Sequence, residues 1–315
     1  MSFKTTGVLA LFLAVLGGYI YLYEIRGWEE KEKITDAARK VARVSKEQVG
    51  RLRLDTPDES LLAVKDGFTW RIVSPIETDA DYDMLEGLVH SAGTLEKAGV
   101  AADTTQTSLP DFSLADFGLA SPAVSLTFDS GEGARQEVAF GDRSPTGAYF
   151  YVKVSGDDQI YLAESQFYYQ FELSLLDLRD KRYVAFDPDG VRGIEMILGD
   201  QSVSVEREDL HWRVIAPFAD DGDDVGIGQF LTALRDARIE KFADVGEGEN
   251  TGLERPWFSI KLHEGDGRAV NGVAFGRKAG VRAYRTYLAR NFGSEHVFEA
   301  DSAFVHKLID SGDSF

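Results

Sequence analysis

The sequence predicts an α+β protein made of two homologous repeats, each a mostly antiparallel sheet with two helices, preceded by one N-terminal transmembrane helix. Two observations carry this prediction: short motifs recur in both halves of the chain, and a single uncharged apolar run lies near the N-terminus. Motifs that recur in one order indicate a duplicated domain. The recurring motifs are Trp-Arg-x-x-x-Pro at 70–75 and 212–217, Gly-Leu-x-x-Pro at 118–122 and 252–256, and Val-Ala-Phe-Gly at 138–141 and 273–276.

Composition sets the outer limits of the protein class. A chain of 315 residues with 43% hydrophobic content is long enough for two cores, since domains commonly have about 100–200 residues. The formal net charge of −19 disfavours nucleic acid and anionic lipid headgroups as partners. The chain has no cysteine, which excludes disulfides, thiolate metal sites and cysteine nucleophiles.

The apolar run extends from Gly7 to Tyr23 without a charged residue. Its length falls at the short end of the roughly 17–25 residues that cross a bilayer. A cleaved signal peptide is the alternative, but it needs small residues after the apolar run, and Gly17-Gly18 is followed by bulky Tyr-Ile-Tyr-Leu-Tyr. We therefore predict a tail and transmembrane anchor over 1–27, with the rest of the chain extracytoplasmic. In a bacterium this means a single-pass protein of the inner membrane, exposed to the periplasm.

Residues 28–48 are highly charged, with apolar residues at helical spacing, and we interpret them as a membrane-proximal helix or linker. The first repeat then covers 49–177. It opens with short β-type runs over 50–54, 60–64 and 68–73, with Asp66-Gly67 as the hairpin turn. A helix is predicted over 79–97, capped by Asp79 or Asp81, and 100–111 is predicted as a loop. Further elements complete the repeat: strands over 123–128, 136–140, 148–154 and 159–163, and a helix over 164–176.

An inter-repeat connector over 178–190 leads into the second repeat, 191–315. The helix over 221–241 is matched with that over 79–97 by allowing two extra residues in the second copy, so that Leu95-Glu96-Lys97 answers Ile239-Glu240-Lys241. The remaining elements follow in the same order as in the first repeat: strands over 257–262, 270–275, 282–289 and 296–299, and a helix over 301–309.

The recurring motifs, together with Leu-Arg-Asp-Lys-Arg at 178–182, resemble the family catalogued as domain of unknown function 4340. The likeness covers nearly everything after the anchor. It implies a bacterial, membrane-anchored extracytoplasmic protein that is often encoded beside an ABC transporter of the gliding-motility type. The resemblance implies an auxiliary or assembly role and supplies no catalytic residues.

Two groups of residues are candidates for a partner interface. The charged cluster Arg179, Asp180, Lys181 and Arg182 is either a docking site or a solvated linker, whose exposed ion pairs contribute little to stability. The aromatic run Phe167, Tyr168, Tyr169 and Phe171 either packs in the core or contacts a partner, since aromatic residues are enriched at interfaces.

The paired tryptophans are interpreted as core anchors, because both copies must build the same core. A stacking platform for a sugar or peptide is the alternative for Trp70 and Trp212. The acidic run 220–224 lacks the ligand spacing of a calcium loop, and its place before a helix accounts for it.

No catalytic signature emerges from the sequence. The five histidines share no register between the copies, and neither a nucleophile elbow nor a phosphate loop is present. We expect no catalytic residue, cofactor or metal. The expected function is a non-enzymatic accessory or scaffold subunit of an ABC-type transporter complex, with the permease, the ATPase and an extracytoplasmic companion as partners. The alternatives are a periplasmic solute- or glycan-binding module that uses the cleft between the repeats, and a hydrolase of an envelope polymer.

Overall fold

The computed structural model describes residues 38–105, 113–130, 135–246, 249–265, 269–278, 286–312 and 314–315. The chain divides between Arg179 and Asp180 into two compact units, here called unit 1 and unit 2. The predicted anchor lies outside the described residues, as does most of the stretch 28–48. Within the described ranges, no helix is both long and apolar enough to cross a membrane.

Unit 1 is built on an antiparallel sheet in the order β4-β3-β2-β1-β6-β7-β8-β9-β5. Most of its strands agree with the predicted runs, but β5 lies where the sequence predicted a loop. That segment has no alternating pattern and is a strand because it pairs with β9. The strands of unit 1 are β1 Val49–Asp55, β2 Ser60–Asp66, β3 Thr69–Ser74, β4 Thr78–Asp79, β5 Gly99–Asp103, β6 Val124–Ser130, β7 Arg135–Arg143, β8 Tyr149–Val154 and β9 Gln159–Glu164.

Unit 2 has an antiparallel sheet in the order β13-β12-β11-β10-β14-β15-β16-β17. This order is the same as in unit 1, except that a single bridge between Phe242 and Phe298 stands where unit 1 has β5. The strands of unit 2 are β10 Val191–Leu198, β11 Gln201–Glu208, β12 His211–Ala216, β13 Asp220–Asp221, β14 Phe258–Glu264, β15 Ala269–Lys278, β16 Thr286–Asn291 and β17 Val297–Asp301.

The described residues form few helices. The Asp81 side chain caps the helix that begins at Tyr82 by accepting a hydrogen bond from the Met84 N–H. Asp81 is one of the two residues predicted as the cap. The predicted helix over 164–176 is wrong as a continuous element, because Ser174 caps a separate short helix. The described helices are α1 Tyr82–Thr94, α2 Ser165–Tyr168, α3 Leu175–Leu178, α4 Asp224–Asp236 and α5 Ser302–Gly312, with 3₁₀ turns at Leu114–Phe117 and Pro188–Gly190.

Each unit has its own hydrophobic core. Alternate strand residues point inward, and the buried faces of α1 and α4 cover them. Each fully buried large apolar side chain contributes about 1.5–3 kcal/mol. The largest fully buried side chains include Trp70, Phe140, Phe171, Phe230, Phe258, Phe275 and Phe298.

The alignment of Trp70 with Trp212 extends without a gap over a much longer stretch of the structure, and we call this alignment the tryptophan register. In this register, the pairing of Lys40 with Glu96 in unit 1 corresponds to that of Arg182 with Arg238 in unit 2. Helices α1 and α4 both have 13 residues, and their first residues coincide in the register. The assumption that the second copy carries two extra residues is therefore wrong, because α1 and α4 align with each other without an insertion.

The tryptophan register also aligns the segments that precede the first strand of each unit. The N–H of Lys97 donates to the Arg39 oxygen in unit 1, and at the equivalent positions of unit 2 the N–H of Ile239 donates to the Lys181 oxygen. In both units, the segment that precedes the first strand is thus hydrogen-bonded to the chain that follows the first long helix.

The same two segments contribute to the cores. Val41 is buried in the core of unit 1, and Tyr183, its equivalent in the tryptophan register, is buried in the core of unit 2. Residues near the end of the predicted linker 28–48 and within the predicted connector 178–190 therefore pack into the core of the unit that follows them.

The other two recurring motifs contact each other in both units. The glycine of Gly-Leu-x-x-Pro has a positive φ, 68° at Gly118 and 75° at Gly252, which favours glycine. A Cβ added to Gly141 would overlap the Phe117 backbone oxygen, and one on Gly276 would overlap that of Thr251. The glycine that ends Val-Ala-Phe-Gly is therefore required by close approach of the segment that carries Gly-Leu-x-x-Pro.

Candidate partner-binding surfaces

Trp70 is buried in unit 1 and held by polar groups on two elements. Its indole Nε1–H donates to Glu86 Oε1 at 2.7 Å, and Lys65 Nζ lies 2.6 Å from the same oxygen. The Lys65 ammonium also lies 5.5 Å from the Trp70 ring centroid and 5.9 Å from that of Tyr82, within cation–π range. Trp70 is thus a core anchor with a satisfied N–H, not an exposed stacking platform.

This network forms one wall of a surface cleft of about 460 Å³, called the unit 1 cleft. The cleft combines cationic, anionic and aromatic groups, and Phe68 at its rim is 92% exposed. Its lining residues are Lys46, Glu47, Gln48, Val49, Gly50, Lys65, Gly67, Phe68, Tyr82 and Glu86.

Trp212 is buried at the equivalent position of unit 2, but its polar partners differ. In the tryptophan register, Gly228 stands where unit 1 has Glu86. Asp224 instead accepts hydrogen bonds from the Trp212 backbone N–H and from His211 Nδ1, both at 2.7 Å. These bonds, first the one with His211, hold the pKa of the Asp224 carboxyl below its ordinary value. Arg207 lies over the Trp212 ring, 5.9 Å from its centroid.

Unit 2 has a cleft of its own, with a volume of about 360 Å³, called the unit 2 cleft. Polar groups form part of its lining: Lys241 Nζ pairs with Glu299 Oε1 at 2.5 Å, and Thr286 donates to the other oxygen of Glu299 at 3.2 Å. Burial raises the pKa of Tyr183 to about 12. The lining residues are Tyr183, Ala237, Arg238, Glu240, Lys241, Thr286, Glu299, Asp301 and Phe304.

The charged cluster at the predicted connector is divided between the two units. Arg179 is buried, its backbone pairs with Ala80 of unit 1, and burial lowers its pKa to about 10. Arg182 is exposed and belongs to unit 2, where its guanidinium Nε and Nη2 bind the Asp180 carboxylate at 2.9 and 2.5 Å. Arg179 is therefore withdrawn from solvent, Asp180 and Lys181 are half-buried, and Arg182 is the exposed member of the cluster.

The aromatic run is likewise mostly internal. Tyr168 is buried and stacks on Phe150 with ring centroids 4.0 Å apart, and Phe171 lies 4.9 Å from Phe140. Phe167 is half-buried against the same core. Tyr169, at 58% exposure, is the member that faces solvent. Core packing thus accounts for most of the run, and Tyr169 remains available to a partner.

Sequence reasoning did not single out the hairpin tips. Phe68 precedes β3, and Leu210, its equivalent in the tryptophan register, precedes β12; Leu210 is 77% exposed. The signal was present, because an apolar residue follows the turn of a hairpin in both copies. No group of three or more potential metal-ligating side chains of His, Asp or Glu occurs in the part of the chain that the structure describes.

The protein thus consists of two units. Each is built on an antiparallel sheet, and the two sheets have the same strand order apart from β5 of unit 1. Residues 70–256, which are 187 of the 315, match the family described as Domain of unknown function (DUF4340). The chain belongs to this family. No curated protein and no solved structure matches the chain.

Proposed function

We propose that the protein is a non-enzymatic accessory or scaffold subunit of an ABC-type transporter complex, anchored in the bacterial inner membrane and exposed to the periplasm. The observation that supports it best is the exposure of large apolar side chains on both units. Leu210 and Phe218 of unit 2 are 77% and 82% exposed, and Tyr169 of unit 1 is 58% exposed; each is a large side chain that a partner could cover. The partners we propose are the permease, the ATPase and an extracytoplasmic companion.

We also infer that the two units are homologous repeats that have since diverged. The shared strand order supports this inference, as does the tryptophan register, which holds without a gap from the Lys40–Glu96 pairing to the start of β5 in unit 1. Duplication supplies two similar surfaces whose side chains can change independently. A scaffold gains from this, because one chain can then hold two different partners.

The proposed anchor is the uncharged run from Gly7 to Tyr23. Its length suits a single span, and Tyr19, Tyr21 and Tyr23 would lie at one membrane interface. The association with an ABC transporter rests on the family resemblance, and purification from membranes tests it.

The test is affinity purification of the intact chain from native membranes in mild detergent, followed by mass spectrometry. Recovery of an ABC permease with its ATPase is the expected result; recovery of the chain alone would contradict the proposal. Tyr169→Ser and Arg182→Ala test the two exposed candidates. Phe292→Ser, at another partly exposed aromatic residue, is the matched control and should leave the complex intact.

The unit 2 cleft favours a second candidate, the binding of a small polar solute. Arg238 and Lys241 provide cations, and Glu299 and Asp301 provide carboxylates. Unit 1 has an apolar residue at one of the equivalent positions, with Val41 in place of Tyr183.

A thermal-shift screen with zwitterionic and dicarboxylic solutes tests this second function. A rise in Tm that Lys241→Ala abolishes supports it, and an unchanged Tm across the screen contradicts it.

A further inference from the structure

The tip of the β2–β3 hairpin carries an unusually exposed aromatic ring. Gly67 has a φ of 58° and reverses the chain there, so that Phe68 projects at the apex. At 92%, Phe68 has the highest exposure among the large apolar side chains of the described ranges. Tyr82 and Lys46 line the cleft beside it. The tip is therefore an aromatic group flanked by a tyrosine and a lysine.

We propose that this tip inserts into the interfacial region of the bilayer that anchors the chain, with Phe68 among the lipids. The proposal rests on the anchor assigned under the proposed function. The chain between Tyr23 and Ala38 spans at most roughly 50 Å when fully extended. Unit 1 is thus held within reach of the membrane surface.

The short chain between Tyr23 and Ala38, here called the tether, favours lipid over a separate protein as the partner of the tip. A second contact to the same bilayer is intramolecular, with an effective concentration on the order of millimolar for short linkers, so a weak contact made by one aromatic side chain is favoured by the tether. A stable protein interface buries much more surface, typically about 1,200–2,000 Å², than one protruding ring provides.

The side chains around the tip match a bilayer interface. Tyrosine and other amphipathic aromatic groups favour that region, and a lysine stem can lie along apolar chains while its ammonium stays in water. Lys65 is paired with Glu86, and the remaining charges are those of Lys46, Glu47 and Asp66, so that these five side chains sum to a formal charge of −1. The near-neutral tip suits a zwitterionic phospholipid surface.

The equivalent tip of unit 2 provides an internal contrast. Leu210 is also exposed, but Asp209 stands where unit 1 has Gly67, and Asp224 stands where unit 1 has Tyr82. These carboxylates disfavour contact with headgroup phosphates. We therefore expect the unit 2 tip to stay in water under the same conditions.

Because the chain contains no cysteine, one introduced thiol labels one site. Thr69→Cys places an environment-sensitive fluorophore beside Phe68, and His211→Cys places it at the equivalent position of unit 2. Both residues are exposed. The full chain is reconstituted in phosphatidylcholine vesicles, and flotation establishes that it is membrane-bound.

In the vesicles, the Thr69→Cys probe is expected to show a blue-shifted, several-fold stronger emission that a lipid-borne quencher removes, while the His211→Cys probe does not. Adding Phe68→Ser should abolish the shift, and Phe68→Trp should keep it. Emission from the Thr69→Cys probe that stays unshifted in a chain that floats would overturn the lipid contact and leave the anchor intact. A chain that does not float would overturn both. A shift confined to native membranes would assign the tip to a protein and overturn the lipid contact.

Discussion

Units 1 and 2 hold equivalent tryptophans with different polar groups. In unit 1, Glu86 on helix α1 accepts from the Trp70 indole. In unit 2, that helical position is Gly228, and Asp224 at the start of α4 binds the Trp212 backbone instead. The position of the ring is thus common to both units, whereas the polar contacts around it differ. Both units bury the ring, but Glu86 binds the indole N–H in unit 1, whereas Asp224 binds the backbone N–H in unit 2.

Truncating the tryptophans is expected to have the largest effect. Trp70→Ala should lower the free energy of unfolding by about 3–5 kcal/mol, the usual range for a large buried aromatic residue. Trp212→Ala should cost less, because Gly228 supplies no acceptor where unit 1 has Glu86. Urea denaturation of the full chain in detergent measures the loss, and hydrogen exchange locates it in one unit.

Trp70→Phe is the control for this comparison, since it keeps an aromatic ring but removes the indole N–H. An equal loss from Trp70→Ala and Trp212→Ala would contradict the distinction between the two networks.

Removing the Glu86 carboxylate should have the next largest effect. Glu86→Ala removes the carboxylate that accepts from both the Lys65 ammonium and the Trp70 N–H. The Glu86 side chain is only 11% exposed. We expect a loss of about 3 kcal/mol, as for a broken buried ion pair. Glu86→Gln keeps an acceptor for Trp70 and should cost about half as much. If both variants unfold at the wild-type urea concentration, the network does not stabilise unit 1.

Much of the architecture could be predicted from the sequence, because the relevant signals are local. The Asp66-Gly67 turn indicated the β2–β3 hairpin, and Asp81 marked the start of α1. The recurring motifs indicated a sheet in each half. The two sheets and the few helices follow from alternation and turn chemistry, which act over a few residues.

Other features depend on tertiary contacts that no local pattern carries. Arg39-Lys40 and Lys181-Arg182 read as charged linkers, although the next residue of each, Val41 or Tyr183, is in a core. Their equivalence is visible only when the tryptophan register is extended backward from Trp70. The aromatic run at 167–171 could not be assigned to core or surface, because the packing of Tyr168 on Phe150 joins distant parts of the chain.

The recurring glycines offer a test of what the two units share. Gly141→Ala and Gly276→Ala both place a methyl group against a backbone oxygen. Because that oxygen belongs to the backbone, the overlap cannot be relieved by the movement of a side chain. Each should destabilise its unit by about 1–3 kcal/mol, and by similar amounts. Thermal unfolding of the two variants checks this. Gly87→Ala is the control, because its Cβ meets no neighbour and alanine favours the helix by up to about 1 kcal/mol. A large difference between Gly141→Ala and Gly276→Ala would contradict the shared packing.

The smallest expected effect is a pH dependence from the carboxylate beside Trp212, which has no counterpart beside Trp70 because unit 1 has Tyr82 at the equivalent position. The hydrogen bonds from His211 and the Trp212 backbone hold the pKa of Asp224 below its ordinary value of 3.8. A carboxyl group whose folded pKa is depressed stabilises the fold above its unfolded pKa, and this contribution is lost as the pH falls through the folded pKa. Asp224→Asn should therefore lower the Tm at about pH 6, and the difference from wild type should shrink below about pH 4. In unit 1 the equivalent residue is Tyr82, so Tyr82→Phe should shift the Tm equally at both pH values. A pH-independent difference for Asp224→Asn would show that the carboxylate charge is not what joins the β11–β12 hairpin to α4.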